Sequence, residues 1–442
     1  MKTSEEKQPT VQTHHEYDVL IERFADQGRC IAHVDGRVVF VRFALPGETD
    51  RIRIDEPCDR DDRFWTGEVV TVLTPSPYRC APVWPLAGPL AEGGGVGGAD
   101  LIHVSLEGQH QWKKTVIDQQ MEHLAGVSTD ATMVFSPLDV PEHGLHWRTR
   151  IEMVADDQGY LSMRRRESHV RIPLDDMPLA TSDVLHIAAK HHLWDGGFTP
   201  GTHVRIAAPS HYTQHGDDNY AILIDGTVTY GKNTLIETVP QTPDKPPLIY
   251  LINAKSFWQV HRDAPHLLTS HIRSLITEQL QITPQTIWDL YSGSGLFTIF
   301  LASLLPESQL FSIEGAQEAV HYAEKNSKHL GMQNRITPAC GDVLKTLSKV
   351  PSTLSTPDLI VLDPPRAGAK KEVCKKLIAA HPQAIIYIAC DPTSLARDTK
   401  TLVAGGYHIQ SLTGFDIYPM THHVETVCLF VPSKERLYLS AL

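Results

Sequence analysis

The residues best suited to chemistry in this 442-residue chain stand where apolar runs give way to turns. Cys390 follows the run Ala384 to Ala389 and precedes Asp391-Pro392-Thr393-Ser394, a helix start with Asp391 as its cap and Pro392 in the first turn. A thiol at a helix N-terminus has its thiolate favoured by the dipole, by about 0.3 to 1 kcal/mol. From a reference pKa near 8.5, only about 3 % would otherwise be ionised at pH 7. The sulfur reads as a nucleophile or as an inert core thiol, and its place across a cleft from Asp363 favours the nucleophile. Asp363 stands in Leu362-Asp363-Pro364-Pro365-Arg366-Ala367-Gly368, where two prolines fix the backbone just past a strand. Such rigidity suits an acceptor for a planar base or cofactor. Glu425 enters the apolar run VETVCLFVP, where a carboxylate is costly unless paired or functional.

A second group of residues suits a nucleoside ligand. In Asp289-Leu290-Tyr291-Ser292-Gly293-Ser294-Gly295, Gly293 and Gly295 permit close backbone approach. A dinucleotide fingerprint wants Gly or Ala three residues after Gly295, and Thr298 stands there, which weakens nicotinamide binding. Glu314, about 20 residues beyond the loop, can accept hydrogen bonds from both ribose hydroxyls of an adenosine, or simply cap a helix. Asp342 closes a further strand and could address the adenine. Arg148, Arg150 and the run Arg164, Arg165 and Arg166 read either as a grip on a phosphate backbone or as a solvated face. The His422-His423-Val424-Glu425 cluster invites a metal reading. Neighbours on an extended segment point to opposite faces, however, so no metal site is expected.

These positions presuppose a parallel sheet, because ligands of such sheets sit beyond the carboxyl ends of the strands. After about residue 266 strand and helix alternate: TIWDL, FTIFLASLL, QLFSIE, AVHYAEKNSKHLG, DLIVLD, a helix around 370 to 380, AIIYIA and a further helix. YHIQSLTGFDIYP and VETVCLFVP follow as a terminal hairpin. The fold class is therefore α/β, with a Rossmann-like domain over 266–442. Residues 17–75 show short alternating runs broken at Gly28, Gly36 and Pro46-Gly47, the rhythm of an OB-like β-barrel. Residues 1–16 read as a disordered tail. Residues 76–265 form a mixed central region: an irregular Pro- and Gly-rich connector, a helix near 103–124 placed to pack on the C-terminal domain, then strands.

Composition limits the function classes. Apolar residues make up 41 % and no run approaches the roughly 18 needed to cross a bilayer, so a membrane protein is excluded. The polar start carries no secretory leader, which predicts a cytoplasmic protein. Seven cysteines without C-x-x-C spacing predict neither a disulfide framework nor a cysteine metal site. The net charge of -12 repels polyanions at long range, so nucleic-acid binding requires locally gathered basic groups.

With these motifs in place, the chain resembles the RNA uracil-5-methyltransferases that use S-adenosylmethionine. The likeness runs from a TRAM-like barrel (VVFVRFALPGE) through SFWQV, DLYSGSGLFT, VLDPPRAG and IACDPTSLARD to HHVETV. It implies that Cys390 adds to C6 of a uridine, that C5 then takes up the methyl group, and that Glu425 removes the C5 proton. It also implies that Gln259, Tyr291, Gly293, Gly295, Glu314 and Asp342 contact the cofactor, with Asp363 beside both cofactor and target base. Arg148, Arg164, Arg165 and Arg166 would face the RNA, whose uridine must be unstacked. Amino-group methyltransferases place an aromatic residue after the two prolines, where this chain has Arg366.

Departures from the family carry expectations too. Many members hold an iron–sulfur cluster on four cysteines; here only Cys80 remains, Gly93 to Gly98 include no cysteine, and Met177 precedes Pro178, so no cluster is expected. Asp391 replaces the usual asparagine and would disfavour the thiolate unless paired. The expected substrate is tRNA or 23S ribosomal RNA, and the expected oligomeric state a monomer. The competing readings are a non-catalytic RNA-binding or RNA-folding protein on the same scaffold, and a methyltransferase for another target such as cytosine C5 or a small molecule.

Overall fold

The computed structural model describes residues 15–55, 63–210, 218–280 and 282–433. The tail expected over 1–16 lies outside the described residues up to position 14, and Glu16 already opens a strand. The chain divides into two compact units, Met1–Gly108 and Gln109–Leu442.

The first unit carries β1 (Glu16–Leu20), β2 (Arg23–Phe24), β3 (Arg29–Val34), β4 (Arg37–Arg42), β5 (Thr49–Ile54) and β6 (Phe64–Thr74) in one sheet of order β1-β5-β6-β4-β3-β2. Val39, Val41, Ile52 and Ile54 alternate inward and are buried, as the period of two requires. The β3–β4 hairpin turns through Asp35 and Gly36, both at positive φ, the geometry that matches strand twist. Strand β1 also lies against β3, so the sheet curls on itself, as an OB-like barrel does. The Pro- and Gly-rich connector forms two single turns, Pro85–Ala87 and Leu90–Glu92, near the buried Trp84, Ala87 and Val96.

The second unit begins within α1 (Leu106–Gln120) and continues with β7 (Thr132–Phe135). An antiparallel sheet follows, with β8 (Arg150–Ala155), β9 (Leu161–Arg164), β10 (Arg171–Pro173), β11 (His203–Ala207), β12 (Ala221–Ile224) and β13 (Thr227–Gly231), and α2 (Ser182–Lys190) between β10 and β11. A hairpin of β14 (Thr234–Val239) and β15 (Leu248–Asn253) docks on the helices of the next layer: Tyr250 donates to the Leu296 carbonyl at 3.0 Å, and the Leu251 amide donates to Asn326 at 2.7 Å.

Beyond α3 (Ala264–Ser274) the strand–helix alternation predicted from sequence is present: β16 (Thr286–Leu290), α4 (Leu296–Leu304), β17 (Gln309–Glu314), α5 (Gln317–His329), β18 (Ile336–Cys340), α6 (Val343–Thr346), β19 (Leu359–Leu362), α7 (Lys370–Ala379), β20 (Ala384–Ala389), α8 (Pro392–Ala404), β21 (Tyr407–Asp416) and β22 (Glu425–Pro432). They form an eight-stranded sheet of order β18-β17-β16-β19-β20-β22-β21-β7. Its strands bury both faces. Ile287, Leu310, Val361 and Ile386 pack toward α3 and α4, while Trp288, Phe311, Ile360 and Ile385 pack toward α7 and α8. Two features set up a site. The strand order reverses between β16 and β19, which leaves a crevice beyond their carboxyl ends. Strand β22 runs antiparallel to β20 with Thr426 opposite Ala389, so the start of β22 lies at the same end of the sheet as the close of β20.

Candidate active site

That antiparallel insertion brings Glu425 to Cys390. Cys390 leaves β20 half-buried; Glu425 opens β22, only 2 % exposed. Asp363 leaves β19, its amide donating to the Leu290 carbonyl at 3.2 Å, which ties it to the end of β16. The three groups sense one another. Burial, then the Glu425 and Asp363 carboxyls, push the Cys390 thiol up to about 12, against the pull of the Arg366 guanidinium. Burial and then Asp363 push Glu425 well above the usual carboxylate range, and the Tyr418 hydroxyl, donating to Glu425 Oε2 at 3.3 Å, works the other way. Glu425 Oε1 meets no hydrogen-bond partner among the described residues.

The expected thiolate stabilisation by the α8 dipole is therefore outweighed. A dipole contribution of about 0.3 to 1 kcal/mol corresponds to less than one pKa unit, and burial beside two carboxyls exceeds it. Asp391 is not the acid responsible. Its carboxylate caps α8, accepting from the Thr393 and Ser394 amides at 3.2 Å each, and the opposing charges come from Glu425 and Asp363 instead.

On the other flank, Asp363 faces acids of the crevice. Burial, then Asp289 and Glu314, raise it to about 7. Asp289, fully buried in β16, is likewise raised to about 7 by burial, with Thr298 donating to its Oδ2. Thr298, the departure from the dinucleotide fingerprint, thus serves to hold this acid. Glu314 accepts from the Gly293 amide at 3.0 Å and the Ala316 amide at 2.8 Å. Tyr291 begins the loop at φ +61, and burial raises its phenol. Gly295, at φ +91, starts α4, and a Cβ there would stand 3.3 Å from Ala323 on α5; a Cβ on Gly293 would meet open space. Asp342 caps the short α6 through the Lys345 amide at 3.0 Å and lies in electrostatic reach of Tyr291. Gln259 follows β15 and is buried. Among the described residues Gln259 Oε1, Asp289 Oδ1 and Ser294 Oγ have no partner, the condition of a polar crevice that fits a polar nucleoside ligand.

The arginines separate. Arg150 is a buried ion-pair member, 3.1 Å from Glu237, so it is neither a solvated nor an RNA-facing group. Arg148 is half-buried beside the Trp147 ring at 5.1 Å and within electrostatic reach of Tyr418, which links it to the Glu425 side of the site. Arg164 ends β9, opposite Arg171, and Arg165 and Arg166 lead into the turn toward β10, at a different sheet from the one that carries Cys390. The histidines correct the sequence expectation: residues 421–422 form bends and the strand begins only at Glu425, and the His422 and His423 rings lie side by side with centroids 4.0 Å apart. His423 Nε2 accepts from Arg366 at 3.1 Å.

Sequence reasoning missed Asp289 and Tyr418 as members of the site. A carboxylate inside the buried run TIWDL was a usable signal, since such burial is costly without a role. Tyr418, in a loop between two strands, carried none.

Known proteins similar to this chain cover nearly its whole length. A family described as tRNA (Uracil-5-)-methyltransferase matches residues 344–432, the TRAM domain matches 11–57, and RNA cap guanine-N2 methyltransferase matches 284–376. An RNA methyltransferase of Bifidobacterium longum is 52 % identical over 97 % of this chain and 100 % of its own. The 23S rRNA (uracil(1939)-C(5))-methyltransferase of Vibrio cholerae is 26 % identical over 96 % and 98 %. The crystal structure of Pyrococcus abyssi tRNA (uracil-54, C5)-methyltransferase in complex with S-adenosyl-L-homocysteine superposes with a TM-score of 0.65 at 19 % identity, covering 94 % of this chain and 100 % of that one, and so shares its fold.

Proposed function

The chain belongs to the RNA methyltransferases, and from that premise we propose that it methylates C5 of a uridine in tRNA or 23S ribosomal RNA through a covalent adduct between Cys390 and C6. The observation that carries this reading is the shared electrostatic neighbourhood of Cys390, Asp363 and Glu425 at one end of the sheet. S-adenosylmethionine, when bound, supplies an electrophilic methyl group. Gln259, Tyr291, Gly293, Gly295, Glu314 and Asp342 would hold it, and the unpartnered atoms of Gln259, Asp289 and Ser294 fit a ligand rich in donors. Asp363, which interacts electrostatically with both the crevice acids and Cys390, would touch both cofactor and pyrimidine.

Cys390 performs the first step. Its Sγ bonds to C6, and the electrons of the C5–C6 double bond pass toward O4, so C5 becomes nucleophilic. After methylation Glu425 accepts the C5 proton, the C5–C6 double bond reforms and the Sγ–C6 bond breaks. The raised thiol means that the free protein holds Cys390 protonated, so adduct formation requires that the half-buried Sγ release its proton to water once the pyrimidine is in place. The uridine must leave its stack to reach these atoms. Arg148, Arg164, Arg165 and Arg166 are the proposed grips on the RNA.

Mapping 5-methyluridine in total RNA from cells with and without the gene tests this function. Loss at a discrete uridine of tRNA or 23S rRNA is expected. An unchanged 5-methyluridine map with a change at cytosine would transfer the assignment to another base.

A further inference from the structure

Glu425 is a buried carboxyl with one oxygen held and the other buried without a hydrogen-bond partner among the described residues, and the group that holds it is itself held from several sides. Tyr418 follows β21, whose Phe415 pairs with Glu425. Its carbonyl accepts from the buried Lys113 ammonium at 3.0 Å and from the Thr421 hydroxyl at 2.8 Å. Lys113, on α1, also pairs with the buried Asp416 at 2.5 Å. The phenol ring has Trp147 against it at 6.2 Å and His423 at 6.1 Å, both edge-on. Trp147 is fully buried and stacks on His261, which Asp139 holds at 3.0 Å. Backbone and ring are thus fixed from α1, from the segment before β8 and from the loop before β22. What this arrangement directs at the site is a single hydroxyl, toward Glu425 Oε2.

We propose that Tyr418 is a positioning residue for Glu425, holding Oε2 so that Oε1 is presented to the C5 proton of the methylated uridine. The inference rests on the reading of Glu425 as the base. The 3.3 Å separation is longer than a resting O–H···O bond, as catalytic hydrogen bonds commonly are before substrate tightens them. Its chemical effect follows from the surroundings. The groups facing Glu425 and Tyr418 are Asp363 after β19, Cys390 after β20, Arg148 before β8 and His423 before β22. Against the two acidic groups, the phenol favours the carboxylate that must accept the proton.

The test follows adduct decay. Wild type, Tyr418→Phe and Glu425→Gln are mixed with labelled cofactor and total RNA from cells lacking the gene, and the methylated protein–RNA adduct is followed across pH. Tyr418→Phe should form adduct at the wild-type rate with unchanged KM for RNA. Its adduct should decay about 10- to 100-fold more slowly near neutral pH, the range expected for losing a hydrogen bond to a charged group. The limb of the decay profile that reports the base should move to higher pH, so that alkaline conditions restore decay. Glu425→Gln should retain adduct at every pH; rapid decay there would overturn the base assignment itself. Retention by Glu425→Gln with wild-type decay in Tyr418→Phe would overturn the positioning role alone. If Tyr418→Phe is misfolded by thermal melting, 3-fluorotyrosine at position 418 keeps ring and hydroxyl while strengthening the donor. The limb should then move to lower pH, and an unmoved limb overturns the proposal.

Discussion

At the level of single residues, the site is a balance of charges around one sulfur. Burial and the Glu425 and Asp363 carboxyls hold the Cys390 thiol up at about 12, while Arg366 pulls it down. Adduct formation should therefore accelerate as pH rises from 7 to 9, since the thiolate fraction climbs throughout that range. Replacing Arg366 with Gln should slow adduct formation at pH 7.5 by about 3- to 10-fold, with recovery at higher pH, because a nearby cation is commonly worth a fraction of a pKa unit to one unit. Stopped-time quenching of the protein–RNA adduct checks both. Cys390, Glu425 and Asp363 were legible in the sequence because each stands at the end of an apolar run, where a polar group calls for a reason. The direction of the Cys390 shift was not, since it depends on two carboxyls that arrive from strands 27 and 35 residues away.

At the level of elements, the insertion of β22 between β20 and β21 decides the geometry, because only an antiparallel strand can begin where parallel strands end. What anchors this corner is α1. Lys113 and Asp416 form a buried pair, and His110 Nε2 lies 3.3 Å from the other Asp416 oxygen. Burial alone would raise Asp416, yet the Lys113 ammonium and the nearby His110 ring hold it down at about 2. Its contribution to stability is thus complete above the usual carboxylate pKa near 3.9 and fades as pH falls through about 2. Lys113→Met leaves the buried Asp416 without its ammonium partner, with only His110 beside it among the described residues, and should cost about 3 to 5 kcal/mol in urea unfolding at pH 7; the double change Lys113→Met with Asp416→Leu should recover most of that loss. The strand–helix alternation of the C-terminal half was readable, since strands buried on both faces are continuous apolar runs. The edge strand β7 was not, because its four residues pair with β21, which lies in the last tenth of the chain, and so leave no local pattern.

At the level of the whole molecule, a chain of net charge -12 has to bind a polyanion. Attraction must come from local clusters, and Arg164, Arg165 and Arg166 at the end of β9 are the densest in the sequence. Changing all three to Gln should weaken RNA binding and reduce the slope of log affinity against log salt by up to about 2, or about 0.7 for each phosphate of single-stranded RNA that is no longer neutralised. Methylation at saturating RNA should stay within about 2-fold of wild type. Unchanged affinity and slope in fluorescence anisotropy would make the triplet a solvated face. Their types suggested this role in the sequence, but their distance from Cys390 depends on how two sheets pack and was not legible there. Arg150 shows the limit of reading charge from sequence: it is spent on Glu237 inside the fold.

The central claim is a bond between Cys390 Sγ and C6 of a uridine. RNA transcribed with 5-fluorouridine carries no removable C5 proton, so after methylation the adduct should persist. Incubation with S-adenosylmethionine, digestion by protease and nuclease, and mass spectrometry of the products give the direct test. The account predicts one modified peptide, containing Cys390 and carrying a methylated fluorouridine nucleotide, and none from Cys390→Ala. An adduct on another residue, or methyl transfer to ordinary RNA by Cys390→Ala, would contradict it.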